Sequence, residues 1–393
     1  MDLAHLRRSR TPARCLRARL RALAGTMLAG VVAAGAVGVG ATGVASAATP
    51  GSVFVNRPLP APRLVPGAGS GDIYSYGTLG ADGRPRMASA MLQVPAGRAP
   101  AGGWPVVVWS HDTRGIADRC APSNRPVPAD TDENRTWIGR GYAVISPDLA
   151  GLGTPGTPET FDTDASARGI LDAVTASRDV APGLSPKWVV VGHAQGAPAA
   201  VELARLATRW QGVRSDYRGS AAWSIPVEFA SLYANLGPTT NVLPRGMALD
   251  VLYTLAAIRN TRPALSMNGY LTPTGTRWLD RADTACADEL GPQVANLPMG
   301  TLFAKPLGGN VALMDIIADA KSIPLQGFTR PVMLAQSIFD DNVSVPLSLR
   351  YLDDAQRVDR HVVPRYYLTP APQQADFLID NDIRQFVAEQ LGR

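Results

Sequence analysis

The chain is poor in the residues that most often carry chemistry. Among 393 residues there are four histidines and three cysteines. No Cys-x-x-Cys pair or neighbouring histidine accompanies those cysteines, which argues against a zinc site. Beyond residue 47 no cluster of lysine and arginine is left, so there is no electrostatic footprint for nucleic acid or another polyanion. Internal repeats and low-complexity tracts are also lacking, and no motif implies a metal or an organic cofactor.

The basic charge is concentrated at the start. Seven arginines (Arg7, Arg8, Arg10, Arg14, Arg17, Arg19, Arg21) precede an apolar run from about Ala22 to Val44 and the small-residue ending Ala45-Ser46-Ala47. This reads as a secretory signal over residues 1–47, cut after Ala47, and places the rest of the chain outside the cell. The run is long enough to span a bilayer, but its glycines and the Ala-x-Ala ending favour cleavage over a retained anchor, leaving no stable membrane span. Arg7-Arg8 lacks the hydrophobic residues expected behind a twin-arginine pair, so the export route stays open. The segment carries seven basic residues and one acidic residue, Asp2, a net of +6, so the whole-chain +5 leaves −1 for the remainder. The isoelectric point of about 9.3 therefore belongs to the leader.

Cys15 leaves with that segment, and Cys120 and Cys286 remain as a pair that an oxidising compartment would join. Closing a loop of this length is worth roughly 5 kcal/mol on the chain-entropy model. Subtracting 47 from 393 leaves about 346 residues, enough for one large α/β domain with an insertion. Residues 48–70, rich in Pro, Gly and Ala, read as an extended lead-in. Strand-like runs, several of them apolar throughout, follow at 72–78, 87–94, 106–110, 142–146, 188–191, 220–223, 332–336 and 362–368. Helical patterns lie between them at about 164–180, 197–209, 347–358 and 375–391. That alternation predicts a mostly parallel sheet flanked by helices. The rhythm breaks over 213–325, where one strand near 220–223 is followed by proline-punctuated, mostly helical pieces such as 247–259 and 310–320. We read core over 48–212 and 326–393, with 213–325 an inserted, mainly helical cap over the carboxyl edge of the strands.

The stretch WVVVGHAQGAPAA, residues 188–200, runs from a buried strand through a Gly-x-x-x-Gly turn into an alanine-rich helix. This is the setting of a hydrolase nucleophile elbow, with Gly192, His193 and Gly196 around an apex that should be serine and is Ala194. With VVVWSHDTRGIADRCAPS at 106–123, SPDLAGLGTPG at 146–156 and QSIFDDNVSVP at 336–346, the chain resembles the secretory lipase family of α/β-hydrolases, from about Gly51 to Leu391. The resemblance implies an α/β-hydrolase fold and extracellular cleavage of acyl esters.

It also implies slots for a triad, and these are altered. Ala194 fills the nucleophile slot and offers a methyl group. Asp340 follows strand seven in the acid slot, with Asp341 the choice after a one-residue slip. Gln374, or Gln373, falls in the base slot, and glutamine accepts no proton at useful pH. Of the histidines, His361 stands before the strand 362–368 rather than after it. The oxyanion loop reads His111-Asp112-Thr113 where the family has His-Gly-Thr, with Gln195 supplying the second backbone donor. Whether the Asp112 carboxylate faces the oxyanion or solvent is left open by the sequence. Three departures together fit natural loss of the triad better than one substitution. The expectation is a protein inactive or nearly so on esters that binds a hydrophobic or acyl ligand. The alternatives are an active esterase using another nucleophile, with Ser110 and Ser337 the nearest hydroxyls, and a scaffold whose cleft is filled by its own side chains.

Overall fold

The computed structural model describes residues 49–159 and 162–392. The basic and apolar leader, residues 1–47, lies outside the described residues. Among the described residues nine strands form one sheet: β1 (Val53–Pro58), β2 (Ala68–Leu79), β3 (Pro85–Pro95), β4 (Trp104–Ser110), β5 (Ala143–Pro147), β6 (Leu184–His193), β7 (Asp216–Trp223), β8 (Val332–Ser337) and β9 (Val362–Tyr367). Their order is β1-β2-β3-β5-β4-β6-β7-β8-β9. The pairs from β1 to β5 are antiparallel and all others are parallel. The order reverses at β4, so the loops leaving β4 and β6 flank the crevice where ligands bind in open α/β sheets.

The central strands are apolar on both faces because both are covered. Val106, Val108 and Val190 pack with α2 (Thr163–Val180), α3 (Gly196–Trp210) and α9 (Val345–Val358) on one side. Val107, Trp109, Val189 and Val191 pack with α1 (Pro128–Gly139) and α10 (Pro372–Leu391) on the other. The period of two along each strand thus produces two cores rather than a wet and a dry face.

Between β7 and β8 the chain builds α4 (Phe229–Asn235), α5 (Arg245–Thr261), α6 (Pro273–Ala282), α7 (Ala287–Val294) and α8 (Val311–Ala320) around a core of their own. A disulfide, Cys120–Cys286, fastens this helical insertion to the loop after β4. Arg125 pairs with Asp288 at 2.7 Å, Arg119 with Glu289, and the Ala287 N–H donates to the Arg114 carbonyl at 3.0 Å.

Two elements differ from the expectations. The segment read as an extended lead-in contains β1, which pairs with β2 from Val53 opposite Tyr76 to Pro58 opposite Asp72. It is an edge strand, exposed along most of its length, so it needs no apolar alternation, and Pro58 at its end has no N–H for a ladder. Helix α1 was not anticipated because its buried stripe begins with Asp130 and Asn134 and becomes apolar only at Trp137 and Ile138. Asp130 is paid for by its partners: it accepts from Trp109 Nε1 at 2.9 Å and from Arg114 Nε at 2.9 Å, which ties the loop after β4 to the helix.

Candidate functional site

Strand β6 ends at His193 and α3 begins at Gly196, so only two residues make the turn between them. Ala194, at the apex, has φ +47, in the left-handed region that L-residues avoid. The two flanking glycines make this turn possible. A Cβ on Gly192 would meet the Gly196 carbonyl oxygen at 2.6 Å, and one on Gly196 would meet the Ser110 carbonyl oxygen at 2.0 Å. The start of α3 is thereby pressed against the end of β4. Ala194 is held at 6% exposure, its N–H donating to the Trp223 carbonyl at 3.2 Å.

One residue beyond β7 stands Ser224, also left-handed at φ +53 and 4% exposed. Its hydroxyl lies 2.5 Å from Asp340 Oδ2 and 3.2 Å from His193 Nε2. A carboxylate only accepts, so the single hydroxyl proton points to Asp340, and Nε2–H of His193 donates to the serine oxygen. Asp340 also accepts from Gln336 Nε2 at 3.0 Å and from the Asn342 N–H at 2.8 Å. His193 stacks on Trp223 with ring centres 4.6 Å apart, and burial pushes its pKa down, favouring the neutral ring.

The residues singled out in the sequence are only partly brought together. Ala194, His193 and Asp340 converge through Ser224 and Trp223. Gln373 and Gln374 are exposed in the first turn of α10, and among the described residues neither hydrogen-bonds to Asp340. Asp341 is exposed, 3.7 Å from Arg245. His361 sits at the start of β9 with Nδ1 2.9 Å from Asp359. Ser110 donates to the Gly196 carbonyl at 3.1 Å and Ser337 accepts from the Phe339 N–H at 3.1 Å. In the loop after β4 the Asp112 carboxylate turns back onto the Thr113 N–H at 2.5 Å, occupying that backbone donor. His111 Nδ1 is 2.7 Å from the Asp112 carbonyl and must carry the proton there; burial, then Arg114, pushes its pKa down. Ser224 was not anticipated. Nothing in Trp-Ser-Ile-Pro marks it, because its role arises from the position of its strand beside β6 and β8.

A slot opens beside the elbow between the ends of β4 and β5 and the first turns of α2 and α3. Its walls include Leu149, Ala150, Ala165, Ile170, Gln195 and Ala199, and it holds about 30 Å³ of water-accessible space. Asp148 also lines it, with its pKa pushed up to about 6 by burial against the opposing hydrogen bonds from Ser123 and Ser89. Ligand-type atoms of Cys286, Asp288 and Glu289 approach within 4.8 Å of one another. The sulfur is in the disulfide and both carboxylates face arginines, so this cluster is committed to structure. Among the described residues no helix is long and apolar enough to cross a membrane.

No protein-family model and no curated protein sequence matches the chain. Solved structures do. The closed state of Candida antarctica lipase A aligns over 82% of this chain and 77% of its own, with TM-score 0.64 and 16% identity. A ligand-bound form of the rice cell wall degrading esterase LipA from Xanthomonas oryzae aligns over 87% and 98%, with TM-score 0.64 and 19% identity. A putative hydrolase from Legionella pneumophila aligns over 86% and 98%, with TM-score 0.67 and 15% identity. At these identities the likeness establishes the α/β-hydrolase fold of lipases and esterases, and activity has to be argued from the site.

Proposed function

We propose that this chain is an exported, lipase-like α/β-hydrolase-fold protein that has lost acyl transfer and holds an apolar or acyl ligand in the slot beside the elbow. The observation that carries this reading is the pairing of a methyl group at the apex, Ala194, with an acid, Asp340, already engaged by Ser224, Gln336 and Asn342. Acyl transfer needs a nucleophile, a base oriented by the acid, and free donors for the oxyanion. Ala194 supplies no nucleophile, the base slot holds a glutamine exposed on α10, and the Thr113 N–H is already bonded. By the yardstick of serine proteases, loss of nucleophile or base removes about 10⁶ in turnover, leaving about 10³ to 10⁴ over water. The N-terminal pattern supports export, and the apolar walls of the slot support an apolar ligand. The slot is narrow, so a chain of several carbons requires its walls to part.

The test is hydrolysis of short- and medium-chain p-nitrophenyl esters by the purified protein and three variants: Ala194→Ser, Ala194→Ser/Gln374→His, and that pair with Ser224→Ala. Wild type and the single variant are expected to be inactive. The double variant is expected to be inactive too, and activity gained only with the third change would show that the Ser224 contact withholds Asp340 from a base at position 374. Turnover by wild type at rates usual for esterases would sink this reading.

A second reading is favoured by one feature, the contact of Ser224 with both a histidine and an aspartate on a strained backbone. In it Ser224 is the nucleophile and Asp340 draws off its proton. The serine's burial and the donation from His193 count against it, since that histidine has no free Nε2 lone pair toward the hydroxyl. A fluorophosphonate adduct mapped to Ser224 by peptide mass spectrometry would establish it, and an unlabelled protein would exclude it.

A further inference from the structure

Two further hollows neighbour the slot at the elbow and share lining residues in turn. Ser166, Gln195 and Ala199 line both the slot and a narrow waist of about 20 Å³. Phe229 and Lys321 line both that waist and a groove of about 290 Å³ at the seam between α8 and α9. The groove is much the roomiest of the three. Its apolar walls are Val227, Phe229, Ile317, Ile323, Leu325 and Leu347, drawn from three separate stretches of the chain.

Lys321 stands where groove and waist meet, with its side chain only 6% exposed. Its ammonium touches one oxygen, Asp250 Oδ1 at 2.7 Å, and lies 4.1 Å from the centre of the Phe229 ring. An ammonium has three donors, and a ring face and one carboxylate oxygen leave one unspent. Asp250 has a second donor in the Tyr233 hydroxyl, at 3.0 Å, so its charge does not depend wholly on the lysine. At the mouth, Arg350 is largely exposed and 3.6 Å from Asp354, and Glu228 lies at the edge with the left-handed φ of +60 that begins α4. The mouth therefore carries one cation against two carboxylates, and at the inner end Lys321, paired with Asp250 and with Asp162 on the waist beyond it, keeps spare donor capacity beside an aliphatic wall.

We propose that this groove is a binding site for the anion of a linear aliphatic carboxylic acid. The carboxylate takes the spare Lys321 donor and the chain lies along Ile317, Ile323, Leu325 and Leu347. A neutral chain of equal length gains the same apolar burial but leaves the ammonium as it is, so the head group sets the preference. The site lies apart from the elbow and does not rest on the loss of hydrolysis. Ester turnover reports on the elbow, whereas direct binding reports on the groove, so either reading can fail alone.

The test is calorimetric titration of the full chain with dodecanoate and, separately, dodecan-1-ol, both below their aggregation limits. Wild type is expected to bind dodecanoate saturably and at least tenfold more tightly than the alcohol. Lys321→Met should lower affinity for the acid tenfold or more and leave that for the alcohol unchanged. Leu347→Trp, which fills the groove without touching the ion pair, should weaken both tenfold. It keeps the test decisive if Lys321→Met does not fold. Absence of saturable binding, equal affinity for acid and alcohol, or undiminished binding by Leu347→Trp would each overturn the proposal.

Discussion

Ala194 occupies a backbone conformation that costs an L-residue about 1–2 kcal/mol, yet it carries no functional group at the end of its side chain to justify that cost. The strain is imposed by its neighbours. Gly192 and Gly196 let α3 press against β4, and the chain between them has only a left-handed way round. Replacing Ala194 with glycine removes the steric cost and adds some unfolded-state freedom, for a net gain of about 0.5–1 kcal/mol. Thermal unfolding should therefore shift up by roughly 1 °C. A shift downward would show that the methyl group is held by packing worth more than the strain. The turn was legible in the sequence because its glycines and alanine stand together in a motif. Ser224 was not, because a lone serine after a strand has no local signature. Its significance comes from the register that sets Trp223 beside His193 and Ala335. The same holds for Asp340, whose position after strand eight could be read but whose engagement by Ser224 and Gln336 could not.

At the scale of elements, the strands that run apolar through both cores could be read directly, because burial on two faces leaves an unbroken hydrophobic run. The elements that escaped are those whose buried face is polar or absent: α1, built around Asp130 and Asn134, and β1, an edge strand. The insertion presents a different problem, for its own core does not specify how it is fastened to the sheet. That fastening is local: the Cys120–Cys286 bond, the Ala287 N–H on Arg114, and the exposed pairs of Arg119 and Arg125. Exposed pairs of this kind are screened by solvent and contribute little, so the disulfide should dominate. Changing both cysteines to alanine is expected to lower stability by about 2–5 kcal/mol. Amide exchange should quicken in residues 111–125 and in α7, while β4 and β6 stay protected. Unchanged exchange in those two segments would mean that the insertion is held by its apolar contacts instead.

Across the whole molecule, buried titratable groups pull stability in opposite directions with pH. Burial raises Asp148, Asp162 and Asp172 to about 6, and Glu133 to about 7. A carboxyl whose pKa is higher in the folded state binds its proton more tightly there, so its contribution is greatest at low pH and is lost as pH rises through the folded value. His111 and His193, lowered chiefly by burial, act the other way and cost stability as pH falls below the ordinary histidine range. Burial also disfavours charge on Asp130, but Arg114 overrides it and holds that carboxyl low, a contribution lost only in strong acid. The net curve mixes these opposing slopes, so a single group is best isolated by difference. Asp148 is suited to this, because asparagine at 148 keeps an acceptor for the Ser123 N–H and carries no charge to bury. Any fixed cost of the Asp148→Asn change is independent of pH. Relative to wild type, the variant should gain roughly 2 kcal/mol between pH 4 and pH 7, most of it by pH 6. Denaturant unfolding of the two proteins at those pH values measures the gap. A gap that stays constant would place the charged Asp148 in a solvated setting, and the slot it lines would then be wetter and wider than the 30 Å³ between its walls.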